Sequence, residues 1–182
     1  MDKTKLSKTL AYILRHHPEA FDLKLAADAS VQTDKLLNAL ENKFKQITKN
    51  DLIEVVENDP KGRFSFIDGE KKIRANYGHS IAGLNPEYKA VKPPEFLYHG
   101  TTPKVKNKIL NQGIKAMNRN YVHLSANIEE AKKVAHRRTK KALIFKVRAL
   151  KAHQAGQKFY KTAEDIYLTD QVAAKYLSLE NI

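Results

Sequence analysis

The sequence predicts an α+β fold in two lobes. Three observations lead there: apolar spacing is helical in the first half, the second half is strand-rich, and Pro86, Pro93 and Pro94 mark an aperiodic linker between them. With 182 residues, 42% of them apolar, the chain has the material for two small cores.

In residues 4–15, Leu6, Leu10, Ile13 and Leu14 follow helical spacing, and Pro18 stops that helix after Arg15-His16-His17. Thr33 is placed to cap a second helix with the apolar face Leu36, Leu37, Leu40 and Phe44. Thr48 with Asp51 reads as a capping box before Leu52, Val55 and Val56. After Pro60 the period changes, and residues 63–67 and 72–75 read as a hairpin around Asp68-Gly69. Three helices and a hairpin predict a winged helix over residues 1–90. The second lobe, residues 91–182, reads as strand 96–99, helix 104–111 ended by Gly113, strand 121–124 and helix 128–137 capped by Asn127. Strands 142–149, 158–160 and 166–168 follow. Leu143, Phe145 and Val147 alternate with Lys146 and Arg148, the pattern of a sheet with one wet face.

Residues 1–90 carry 15 Lys and Arg against 13 Asp and Glu, whereas residues 91–182 carry 18 against 7, so the second lobe holds most of the net charge of +13. Such a field favours a polyanion such as RNA or a phosphorylated cofactor, and a solvated basic surface is the bland reading of the same numbers. The chain has no cysteine and its seven histidines lack His-Glu-x-x-His spacing, so no metal is expected. Apolar runs are too short for a membrane span and the N-terminus has no secretory core, which predicts a cytoplasmic protein with no membrane partner.

Twice a histidine sits inside a strand-like run, as Leu97-Tyr98-His99-Gly100-Thr101 and Tyr121-Val122-His123-Leu124-Ser125. Histidine is costly to bury unpaired, Gly100 would let a ligand approach the backbone, and Thr101 and Ser125 offer hydroxyls. Arg15 and His16 at a helix end have a plain reading as dipole partners. That reading weakens beside Ile73-Arg74-Ala75-Asn76-Tyr77-Gly78-His79-Ser80 and Arg119, because several arginines with histidines suit phosphate, whose oxygens match the guanidinium fork. Arg137 and Arg138, with His136, Lys140 and Lys141, form a basic run given an auxiliary role. These segments contain no carboxylate dyad, nucleophile elbow, Rossmann loop or Walker loop.

Taken in order, the segments resemble the RNA 2′-phosphotransferase family. The likeness rests on Leu6-Ser7-Lys8 with Leu14-Arg15-His16-His17-Pro18-Glu19, Ile73-Arg74-Ala75, Gly78-His79-Ser80, Tyr98-His99-Gly100-Thr101, Met117, Arg119 and Val122-His123-Leu124-Ser125. Arg137-Arg138, Phe159-Tyr160 and Leu168-Thr169 complete it. The resemblance implies a winged-helix RNA-binding lobe joined to an NAD-binding lobe of the ADP-ribosyltransferase type. It also implies a reaction in which an internal RNA 2′-phosphate attacks the nicotinamide ribose of NAD and nicotinamide leaves. The neighbouring ribose hydroxyl of the ADP-ribosylated RNA then attacks phosphorus, yielding RNA 2′-hydroxyl and ADP-ribose 1″,2″-cyclic phosphate. A phosphate monoester is already largely dianionic at neutral pH, which explains why no basic carboxylate is needed.

By motif, the family's essential set falls on Arg15, His16, Arg74 and Arg119. Arg15, His16 and Arg74, with His79, are expected to grip the 2′-phosphate of a tRNA-like RNA, and Arg119 to stabilise the second step. His99, Gly100, Thr101, His123 and Ser125 are expected to hold NAD. The chain departs from the family at Tyr77, where glutamine is frequent, at Tyr121 and Thr139, and at Ser30 near the place of a common tryptophan. Ile166 stands where protein-modifying relatives of the fold carry a glutamate, with Glu164 and Asp165 beside it. Two other readings compete: an ADP-ribosyltransferase acting on terminal nucleic-acid phosphates, and a winged-helix nucleic-acid binder without catalysis. A monomer is the simpler expectation.

Overall fold

The computed structural model describes residues 1–84 and 86–180. The chain divides into two compact units, residues 1–87 and 88–182, each with helices and antiparallel strands.

The first unit runs α1 (Lys3–Arg15), β1 (Ser30–Gln32), α2 (Thr33–Glu41), α3 (Lys49–Glu57), β2 (Phe64–Ile67) and β3 (Lys72–Ala75), with the strands ordered β1-β3-β2. Leu6, Leu10, Ile13 and Leu14 of α1 are fully buried against Leu36, Leu40, Leu52 and Ile73. Each such side chain stabilises the fold by about 1.5–3 kcal/mol relative to exposure. The helix ends where expected, and Pro18 begins a 3-10 turn, Pro18–Phe21. Thr48 and Asp51 form the capping box. The hairpin turns through Asp68 and Gly69, closing with Ile67 opposite Lys72. Thr33, expected to cap α2, is its first helical residue, and its hydroxyl donates instead to the Glu70 carbonyl at 2.7 Å. Strand β1, unforeseen from the sequence, pairs with β3 and sets Ser30 opposite Arg74.

The second unit contains β4 (Leu97–Thr101), α4 (Lys106–Gln112), β5 (Ile114–Lys115), β6 (Val122–Ser125), α5 (Ile128–His136) and β7 (Leu143–Val147). It continues with α6 (Ala149–Gln154), β8 (Tyr160–Ala163), β9 (Ile166–Thr169), β10 (Gln171–Val172) and β11 (Leu177–Glu180). Six strands form one antiparallel sheet in the order β11-β7-β4-β6-β9-β8, and β5 pairs with β10. Residues 88–91 are fastened to this unit. Ala90 bridges Tyr160, the Val91 N–H donates to the Phe159 carbonyl, and Tyr88 packs on Tyr121 and Tyr160.

On one face of the sheet Leu97, Phe145 and Val147 meet Ile109 of α4 and Ala152 of α6. The opposite face, expected to be wet, is covered at Ile144 by Ala131 and Ala135 of α5. Asn127 caps α5 as the sequence indicates, its side-chain oxygen accepting from Glu129 and Glu130 N–H. Residue 149, read as the end of a strand, begins α6. No helix among the described residues is long and apolar enough to cross a membrane.

Candidate active site

Arg15, His16 and Arg74, the residues expected to grip a phosphate, gather around one histidine. Arg15 closes α1 and His16 caps it, its N–H donating to the Tyr12 carbonyl at 3.1 Å. Ser80 locks this end of the helix: its N–H donates to the Arg15 carbonyl at 3.0 Å and its hydroxyl lies 2.8 Å from His16 Nδ1. The Arg15 guanidinium stands over the Tyr77 ring, 4.8 Å from its centroid, and 5.9 Å from that of Phe64. Such stacking orients a cation while leaving its edges able to donate. Tyr77 is in turn fixed by its hydroxyl, which donates to the Lys61 carbonyl at 2.8 Å. Gly78 permits the approach. At φ +91° it adopts a conformation rare for side-chain-bearing residues, and a Cβ there would press on Arg15 at 3.3 Å.

His79, only 3% exposed, lies within electrostatic reach of Arg15, His16 and Arg74. Burial first, and then those three groups, push its pKa down to about 4, so the ring is neutral at pH 7. Among the described residues, its Nε2 and the Nε of Arg74 are buried without a hydrogen-bonding partner. Buried polar atoms are costly to leave unpaired, and a phosphate oxygen is the acceptor that a cluster of this charge attracts.

The depressed pKa makes folding pH-dependent. The unfolded chain, titrating near 6.5, takes up the proton first, so this contribution is full above 6.5 and is lost as pH falls towards 4, by up to about 3 kcal/mol. Urea unfolding of the wild type should therefore weaken across that window more steeply than that of His79→Gln. Equal slopes would show that another group titrates.

In the second unit, His99 of β4 donates from Nδ1 to the His123 carbonyl of β6 at 3.1 Å. A carbonyl can only accept, so Nδ1 carries the proton. Burial pushes the His99 pKa down and the Arg119 charge adds to this, against the opposing effect of the carbonyl bond. The neutral ring leaves Nε2 as an acceptor suited to a sugar hydroxyl. His123 in turn sets its Nδ1 3.0 Å from the Tyr121 carbonyl. Strand alternation places His99 on the side of Leu97, and His123 on the side of β6 away from Val122 and Leu124. The two histidines are thus linked from ring to backbone. Thr101 ends β4 opposite Leu143, and the Ser125 hydroxyl accepts the Asn127 N–H at 3.1 Å.

Arg119 lies before β6 with an exposed side chain, although much of the guanidinium's surroundings is protein. Burial lowers its pKa, and the charges of Arg138 and Arg137 lower it further. Among the described residues no carboxylate pairs with any of these three arginines. Like charges held together without counter-charge fit phosphoryl oxygens.

At Gly100 the structure adds a packing reason for the glycine. A Cβ there would fall 1.9 Å from the Ala131 carbonyl oxygen and 3.2 Å from Ala135 Cβ, so the missing side chain admits α5. Sequence reasoning left two contributors outside the site, Tyr77 beneath Arg15 and Ser80 against His16. The signal available for them was the Tyr77-Gly78-His79-Ser80 run itself. It also gave Arg137 and Arg138 only an auxiliary place, whereas they are the charges that Arg119 feels.

The chain is 42% identical over 179 residues to a protein of Rhizobium leguminosarum bv. trifolii named a probable RNA 2′-phosphotransferase, covering 97% of this chain and 94% of that one. Likewise named are proteins of Acetivibrio thermocellus, 40% identical with 99% and 98% covered, and Fusobacterium nucleatum, 39% identical with 95% and 96% covered. With the family model matching residues 1–171, the chain belongs to the RNA 2′-phosphotransferase, Tpt1 / KptA family, a family of transferases.

Proposed function

We propose that this protein is an NAD-dependent RNA 2′-phosphotransferase, with a winged-helix first unit and an ADP-ribosyltransferase-like second unit. The observation that carries the proposal is the cluster of Arg15, His16 and Arg74 around buried His79, with Arg74 Nε and His79 Nε2 lacking partners among the described residues, in a chain of this family. The unit order of helix, strand, two helices and hairpin, with β1 joined to β3, supports the winged-helix reading. Arg137 and Arg138, whose charges reach Arg119, fit the diphosphate of NAD, and neutral His99 fits a ribose hydroxyl.

In this reading, Arg15, His16 and Arg74 hold the RNA 2′-phosphate so that one oxygen faces the nicotinamide ribose. A C–O bond forms there as the bond to nicotinamide breaks. The arginines neutralise and align a nucleophile that is already ionised. In the second step the ribose 2″-oxygen attacks phosphorus and the RNA 2′-oxygen leaves, taking up a proton, while Arg119 stabilises the charge on the phosphoryl oxygens. The RNA is recovered with a free 2′-hydroxyl, and ADP-ribose 1″,2″-cyclic phosphate is released.

Incubation with an RNA bearing one internal 2′-phosphate, with and without NAD, tests this directly. The expected result is NAD-dependent loss of the phosphate with appearance of the cyclic product. RNA that keeps its phosphate overturns the proposal, and RNA that ends as a stable ADP-ribosyl adduct supports an ADP-ribosyltransferase instead. In the same assay Arg15→Ala should lower kcat/KM at least about 30-fold, the cost of removing one partner from a desolvated charge pair. Unchanged turnover would remove Arg15 from the phosphate grip.

A further inference from the structure

The first unit holds a cavity of about 590 Å³ whose lining includes Ser7, Lys8 and Ala11 of α1, Val55 of α3, and Asn58 and Arg63 from the segment between α3 and β2. Two of its lining segments run on in sequence to the Arg15 cluster, α1 to Arg15 itself and Arg63 to Phe64. At about 100° per residue, Thr4, Ser7, Lys8, Ala11 and Arg15 fall on one face of α1, with Arg15 one turn beyond Ala11. In the other segment, Arg63 directly precedes Phe64, the ring that faces the Arg15 guanidinium. The acids of the cavity are already engaged: Glu54 pairs with Lys3 at 2.9 Å, and Asp59 pairs with Arg63. The exposed Lys8 ammonium has no ion pair among the described residues. The lining thus combines hydroxyl, amide, ammonium and guanidinium groups and two paired carboxylates with the apolar Ala11, Val55 and Pro60, a mixture suited to a sugar phosphate with an apolar face.

We infer that this cavity binds a nucleotide flanking the 2′-phosphorylated one on the same RNA strand, with that nucleotide's backbone phosphate on Lys8. This rests on the proposed function and extends it, because it gives the protein a means of preferring a phosphate within a strand over a lone nucleoside 2′-phosphate. Arg15 grips the 2′-phosphate at the helix end, and Lys8 takes the strand about 10 Å back along the same face.

The test compares the affinity of wild type and Lys8→Ala for a nucleoside 2′-monophosphate and for a hexanucleotide with one internal 2′-phosphate. Wild type should bind the hexanucleotide at least about tenfold more tightly. Lys8→Ala should lose about fivefold to tenfold on the hexanucleotide, with the slope of log affinity against log salt smaller by about 0.7, and bind the mononucleotide within about twofold of wild type. Ala11→Glu, which sets a carboxylate in the cavity, should weaken the hexanucleotide more than tenfold. Equal losses on both ligands, or no loss on the hexanucleotide, would overturn the inference. If wild type binds neither ligand, the phosphate-grip reading fails first and the inference falls with it.

Discussion

Arg119→Ala should stop the proposed reaction half-way, with ADP-ribosylated RNA accumulating and the cyclic phosphate product falling by about a hundredfold to a thousandfold, the usual cost of removing a preorganised donor from a developing oxyanion. In the proposed reaction the first step uses a nucleophile held by Arg15, His16 and Arg74, which the substitution leaves in place. The second gathers charge on phosphoryl oxygens, and Arg119 is the cation assigned to it. The surroundings of Arg119 sharpen the expectation. Burial and the charges of Arg137 and Arg138 already disfavour its cationic form, so an anion beside it gains from relieving that repulsion. Single-turnover reactions with radiolabelled NAD, resolved on a denaturing gel, separate adduct from product. Turnover at the wild-type rate, or uniform slowing without adduct, would assign the second step to another group.

The parts legible in the sequence are those governed by neighbours along the chain. The α1 stripe, the Thr48 and Asp51 capping box, the Asp68-Gly69 turn and the Asn127 cap each state their structure within a few residues. What stayed hidden was set by distant pairing. Strand β1 has three residues, too few to display a period, and exists because β3 pairs with it from 42 positions on. Strand β11 is likewise completed by β7. Helix α6 starts just beyond β7, where Ala149 and Leu150 carry no boundary signal. The candidate site follows the same division. Arg15, His16 and Arg74 could be picked out because a helix end and a hairpin present them. The Tyr77 ring under Arg15 and the Ser80 hydroxyl on His16 join residues more than 60 positions apart, and no local rule announces such contacts.

Gly100→Ala adds a single methyl group and should nevertheless destabilise the second unit severely. The added Cβ would meet the Ala131 carbonyl oxygen at 1.9 Å and its carbon at 2.8 Å. Both atoms are helix backbone, so no rotamer change relieves the overlap, and trimming Ala135 would remove only the weaker 3.2 Å contact. Either α5 lifts from β4 or the strand bends, and overpacking against backbone costs about 3 kcal/mol or more. For a chain of this length that corresponds to a fall in Tm of roughly 6–12 °C. The damage would also reach the proposed chemistry. Strand β4 carries His99 and Thr101, while Arg137 and Arg138 follow the end of α5, so the close approach at Gly100 sets the spacing between the histidine and the arginines. Thermal unfolding of the purified variant, followed together with its affinity for NAD, should show both falling. A Tm within about 1 °C of wild type would mean that α5 can yield at Gly100, and that the glycine is there for something other than the helix.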